Sequence, residues 1–174
     1  MLKIFTTQLT GYLKRYEGKE EFEDAARILA QASISNSTIW IYGTNEMNGV
    51  ISEALFGQEP LENAKQLLPS NIDEVNDSDR VMIFSRFAND DEAIKIAKKL
   101  HEDMIPVIVV TTIADDHAEN SLVNYADLVF DMKLKKGILP SDTGDRFLYP
   151  SSILALYIYF GITLTVKDIL SEYE

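Results

Sequence analysis

Cysteine is absent from these 174 residues, and histidine occurs only at His101 and His117. Without thiols there is no disulfide framework, no thiolate metal site and no cysteine nucleophile. The absence fits a reducing compartment, and a cytoplasmic protein is expected. Basic residues are scarce: 16 Lys and Arg stand against 28 Asp and Glu, a formal net charge of −12. A field of that sign repels phosphate backbones and anionic lipid, so neither nucleic acid nor a membrane surface is an expected partner. Anionic metabolites are disfavoured too, unless a local cation or a helix N-terminus offsets the field. Long apolar runs are also missing. The longest, Ile153 to Ile162, is about half of what a bilayer span needs. It is interrupted by Tyr157 and Tyr159 and reads as a buried helix. The opening MLKIFTTQLTGYLKRY holds no apolar core long enough for a signal peptide.

What is present is ordinary for a globular chain: 46% hydrophobic and 25% charged residues. The length suits one domain. Phe5, Leu9, Leu13 and Tyr16 recur at helical spacing, and Gly18 closes that helix. Phe22, Ala25, Ala26, Leu29 and Ala32 mark a second helix, with Glu20, Glu21 and Glu23 at its positive end. Ile39 to Tyr42 reads as a buried strand followed at once by Gly43, and Val50, Ile51, Ala54 and Leu55 as the next helix. Lys65 to Leu68 suits a short edge strand. Val81 to Phe84, Val107 to Val110 and Leu128 to Phe130 read as further strands. Between them lie a helix through Ile94, Ala97 and Leu100 and a short one near Ser121 to Tyr125. Residues 132–148 read as a long polar loop. Pro150 opens an apolar helix to Gly161, and a separate short helix is expected over Val166 to Tyr173. Near-continuous apolar strands alternating with helices imply a mostly parallel, five-stranded sheet covered on both faces. The expected organisation is one domain over 1–174: N-terminal helices to residue 35, a sheet core over 36–131, then a loop and C-terminal helices. In such a sheet ligands bind at the carboxyl ends of the strands, near the point where strand order reverses.

Three stretches resemble the SIS (sugar isomerase) family, whose fold is a three-layer, flavodoxin-like α/β sandwich. They are Ile39 to Gly43, Val81 to Thr112, and Ala126 to Asp131. The resemblance extends over nearly the whole chain. In size and in its leading helices the chain is most similar to the phosphoheptose isomerases. The resemblance implies binding of a sugar phosphate or related carbohydrate derivative, and homodimerisation. The family's phosphate loop is a serine, one residue, then Ser-Gly-x-Thr with a glutamate two residues on. Ser85 and Glu92 match it. Phe87, Ala88 and Asp90 replace the second serine, the glycine and the threonine. Asp90 and Asp91 stand where they can cap the helix amides that would otherwise receive a phosphate. Met47 falls about where the isomerases' first-turn serine stands. Glu53 falls near their zinc histidine and Gly57 near their zinc glutamate. The last helix offers neither histidine nor glutamine. The zinc site is therefore not carried over, and no metal or other cofactor is expected.

Candidate ligand-binding residues are Gly43, Thr44, Asn45, Ser85, Arg86, Asn89 and Thr111, in the loops after the central strands. They form either a polar crevice or a set of turn and cap residues. Glu46 and Glu53 are candidates for acid–base work, which aldose–ketose isomerisation requires; the alternative is two solvated helix carboxylates. Arg146, in the long loop, is either an anion clamp or the partner of a neighbouring aspartate. His101 suits a helix C-terminus, and His117 follows Asp115 and Asp116 without a spacing that would hold a metal. Three functions follow: non-catalytic phosphosugar binding, phosphosugar isomerisation, and a protein-interaction scaffold.

Overall fold

The computed structural model describes residues 1–114 and 119–172, which leaves His117, Asp115 and Asp116 outside the described residues. Two helices lead the chain, α1 (Leu2–Leu13) and α2 (Glu21–Ile34). A parallel α/β unit follows: β1 (Ile39–Gly43), α3 (Asn48–Phe56), β2 (Ala64–Gln66), β3 (Arg80–Phe87), α4 (Asp91–Glu102), β4 (Val107–Thr112) and β5 (Leu128–Asp131). A small hairpin, β6 (Leu139–Pro140) with β7 (Arg146–Phe147), precedes α5 (Ser151–Ser171).

The main sheet has the order β2-β1-β3-β4-β5, and every neighbouring pair is parallel. This is the flavodoxin-like order, whose reversal lies between β1 and β3. Strand alternation splits the core in two. Ile39, Ile41, Met82, Phe84, Ile108 and Val110 point to the face covered by α2, α3 and α5. Trp40, Tyr42, Val81, Ile83, Val107 and Val109 point to the face covered by α4. Both faces of the central strands are therefore dry, which is why they read as unbroken apolar runs.

Asp79, only 2% exposed, closes the amino-terminal edge of the sheet. Its carboxylate accepts from Thr38 N (2.8 Å), Trp40 Nε1 (3.0 Å), Asn76 N (3.1 Å) and Asn76 Nδ2 (2.9 Å). A buried carboxylate is tolerable only when its lone pairs are met in this way.

Two expectations need correction. The C-terminal region is one helix of 21 residues, not two. Gly161 does not stop it: a Cβ there would lie 2.5 Å from the Phe22 ring, so the glycine makes room for α2. Burial of Leu154, Ala155, Ile158, Tyr159, Ile162 and Val166 outweighs the roughly 1 kcal/mol cost of a mid-helix glycine. By length and composition α5 could cross a bilayer; in this fold it packs along α2 in the core. Residues 132–148 are not simply a polar loop either. Met132, Leu134, Ile138 and Leu139 are buried in the main core, and the hairpin ties the segment together. Arg146, for which the sequence left two roles open, meets no aspartate among the described residues: its Nε donates to Gly137 O (2.8 Å) and a terminal nitrogen to Ile138 O (2.6 Å), which brace the hairpin.

Candidate functional site

The strand-order reversal brings the loop after β1 beside the loop after β3. Gly43 turns the chain sharply. A Cβ there would stand 2.9 Å from Met47 O, so only glycine lets the following turn fold back this closely. Asn45 follows in a left-handed conformation (φ 50°), which short polar side chains tolerate. Its carbonyl accepts from Asn48 Nδ2 at 2.8 Å. Thr44 N donates to Phe84 O (3.1 Å), stitching the two loops together.

Between Phe84 and Phe87 the register of β3 with β4 shifts, and such irregularities often re-aim side chains beside functional sites. Here the shift places Ser85 inward, fully buried, and Arg86 outward. Ser85 Oγ donates to Phe87 O (2.9 Å) and lies 3.4 Å from Thr44 Oγ1. Thr111, at the end of β4, is also fully buried, and its hydroxyl has no partner among the described residues. An unpartnered buried hydroxyl costs about 1–3 kcal/mol, so it calls for an explanation. Its neighbour Thr112 has none of this difficulty, since its Oγ1 accepts from Leu134 N at 3.4 Å.

Arg86 makes a two-point bond to Glu46, with Nε to Oε1 at 2.6 Å and a terminal nitrogen to Oε2 at 2.7 Å. Its side chain remains 48% exposed. That guanidinium holds the Glu46 carboxyl below its ordinary range, and Glu46 in turn raises Arg86. The structure thus joins a candidate base to the candidate clamp. The other candidate base, Glu53, stands apart. It lines a 590 Å³ groove with Tyr159, Phe160, Lys167 and the 58–62 segment. That segment leads into the start of β2, so the groove is at the opposite, amino-terminal edge of the sheet. Burial, with Glu53 adding to it, pushes the Tyr159 hydroxyl up to about 12.

At the start of α4, Asp90 is the N-cap. Its Oδ1 accepts from Ala93 N at 3.0 Å, and Asp91 and Glu92 occupy the first turn. The helix end that would attract an anion therefore carries its own carboxylates. Asn89 is exposed in the preceding turn. Sequence reasoning missed Tyr42, which is buried on the α4 side. Burial raises its hydroxyl, and Glu92 and Asp90 add to the effect. Strand alternation from Trp40 would have placed it there. Ser151 was missed as well. It is 1% exposed, and its hydroxyl is unpartnered at the start of α5. The far half of α5 lines the amino-terminal groove, and 21 residues span roughly 30 Å. The start of α5 is therefore at the carboxyl edge, beside the turn Asn45–Met47.

A second groove, of 680 Å³, runs along β5. Neither groove is lined by Thr44, Ser85, Arg86 or Thr111. Among the described residues no group of three or more His, Asp or Glu could hold a metal ion.

Comparison with known proteins adds the following. A family model described as a domain of unknown function (DUF2529) matches residues 1–170. The Bacillus subtilis (strain 168) protein named Uncharacterized protein YwjG is 43% identical over 175 residues, covering 99% of each chain. Among solved structures, a Bacteroides fragilis NCTC 9343 protein described as a candidate phosphosugar isomerase involved in capsule formation superposes with a TM-score of 0.70. It is 12% identical, with 99% of this chain and 90% of that one covered. The Vibrio vulnificus NanR protein complexed with ManNAc-6P gives a TM-score of 0.67 at 15% identity, over 99% of this chain and 61% of that one. The sugar isomerase domain of the RpiR transcription factor from Sphaerobacter thermophilus gives 0.63 at 13%, over 99% and 96%. At such identities the likeness is one of fold: the five-stranded parallel sandwich of sugar isomerase domains.

Proposed function

The chain belongs to the DUF2529 family, and from that premise we propose that it binds a sugar phosphate or related carbohydrate derivative without zinc-dependent isomerase chemistry. The site is the crevice at the carboxyl ends of β1, β3 and β4. The observation that carries this reading is Thr111: a fully buried hydroxyl, unpartnered among the described residues, at the edge where open parallel sheets bind ligands. The fold shared with phosphosugar proteins supports the ligand class.

In this reading Asp90 has replaced the ligand's anion at α4. Arg86 is the remaining cation of the crevice, and Glu46 occupies it until a ligand oxyanion exchanges for the carboxylate. The pair is exposed enough for that exchange to cost little. The resemblance to phosphoheptose isomerases enters only as overall layout. A carboxylate held below its ordinary range by a guanidinium is a poor proton shuttle near neutrality, so binding without turnover is the favoured mode.

A homodimer fits the same reading. Helix α1 contributes no buried residue, while Leu2 and Ile4 remain 76% and 44% exposed. Light scattering at micromolar concentration tests this directly.

One observation favours a second reading, a protein-interaction scaffold. The two described grooves lie away from Ser85, and the crevice side chains bond to one another. A thermal-shift screen with aldose, ketose and amino-sugar phosphates separates the two. A ligand at a hundred times its Kd adds about 2.7 kcal/mol, a rise of roughly 5–10 °C for a domain of this size. Such a shift, with no product by NMR, is the expected result. No shift with any compound would favour the scaffold.

A further inference from the structure

Of the 16 basic residues, six fall in two short segments, 14–19 and 133–136. The first is the turn between α1 and α2, and the second leaves the carboxyl end of β5. The fold brings them together. Tyr16, buried beneath the first segment, donates its hydroxyl to Asp131 O at 3.1 Å, and both segments rim the 680 Å³ groove along the outer edge of β5. A volume of that order suits a small-molecule site, for which about 300–1,000 Å³ is usual. In a chain of net charge −12 this is an unexpected place to find Arg15, Lys19 and Lys133 converging.

The two carboxylates in the same wall do not cancel them. Asp131 Oδ1 is held by two backbone amides, Ile113 N (3.1 Å) and Lys133 N (2.8 Å), and three cations, Arg15, Lys19 and Lys133, outnumber the two carboxylates, Asp131 and Glu21, in the lining. Glu21 leans on Lys19 at 3.9 Å. Arg15 and Lys133 form no ion pair among the described residues. Arg15 is instead stacked over the Tyr12 ring, 4.2 Å from its centre, which restricts its flexible side chain. Lys133 adopts a left-handed backbone (φ 54°) between buried Met132 and Leu134, which directs its own side chain to solvent at the groove. For a lysine that conformation is uncommon, and such residues cluster at ligand sites.

We propose that the groove along β5 is a second small-molecule site, selective for a compact anion bearing several negative charges of the phosphate class. An extended polyanion such as nucleic acid would leave this patch and meet the acidic remainder of the surface. The proposal does not depend on the crevice between β1 and β3.

Calorimetric titration of pyrophosphate at low ionic strength tests it. The expected result is saturable one-to-one binding to the wild-type chain, weakened at least tenfold in an Arg15→Ala/Lys133→Ala variant and unchanged in Lys95→Ala, an exposed lysine of α4 outside both sites. Should the double variant fold poorly, amide shifts of the wild-type chain serve instead, with perturbation expected at 129–134. No saturable binding would overturn the proposal. So would binding indifferent to the double variant, binding lost only with Arg86→Ala, or shifts confined to 85–93. Retention of poly-glutamate without retention of pyrophosphate would also overturn it, and would point to an acidic protein partner.

Discussion

The same five strands end in opposite ways. At the amino edge Asp79 is nearly inaccessible, and four donors meet its carboxylate. Arg80 Nε is unpartnered there, yet the other guanidinium nitrogens make four hydrogen bonds. At the carboxyl edge Thr111 and Ser151 keep hydroxyls buried and unpartnered, and Ser85 and Thr44 share a long 3.4 Å contact. Apart from Arg80 Nε, the amino edge is finished by the chain itself. The other leaves donors and acceptors that a ligand or water would complete. Buried polar groups are nearly always satisfied, and the edge that leaves two buried hydroxyls unmet among the described residues is the one at which the ligand crevice is proposed.

The largest expected effect breaks the satisfied edge. Asp79→Ala orphans the Trp40 indole N–H and the Thr38 amide, and should cost on the order of 3–5 kcal/mol, read as a lower urea midpoint. Next comes Gly43→Ala, which drives a Cβ against Met47 O and should cost about 1–3 kcal/mol while disturbing the crevice. A sharper contrast comes from two adjacent threonines. Thr112→Val removes the partner of Leu134 N and should destabilise by about 1 kcal/mol. Thr111→Val removes a hydroxyl that has no partner, and should be neutral or stabilising by up to about 1 kcal/mol in the free protein. The smallest effect is electrostatic. Glu46→Gln should change stability at pH 7 by less than about 1 kcal/mol, because the pair is exposed. Its sign with pH is fixed. Arg86 lowers the folded pKa of Glu46, so the stabilisation is present above the ordinary glutamate range and is lost as pH falls through the folded value. Wild type and variant should therefore converge in acid denaturation.

The positions of the strands were legible because parallel strands buried on both faces must be apolar throughout. The Asp90 cap was legible because an aspartate one residue before a helix has few other uses. What escaped were interactions that depend on distant partners. Gly161 reads as a helix end until Phe22 is known to lie against it. Arg86 and Glu46, 40 residues apart, meet only through the strand-order reversal. Glu53 sits about two helical turns beyond Glu46 in sequence, yet the axis of α3 carries it to the other edge of the sheet. Arg146 is surrounded by aspartates in sequence but meets backbone carbonyls across the hairpin.

The most direct test of the asymmetry uses the strongest ligand from a sugar-phosphate screen, titrated calorimetrically into the wild-type chain and into Thr111→Val. The account predicts that Thr111→Val melts no lower than wild type yet binds that ligand at least tenfold more weakly, with Asp79→Asn binding unchanged wherever it is folded. Equal affinity in wild type and Thr111→Val would contradict it, and the carboxyl edge would then lose its claim to be the ligand site.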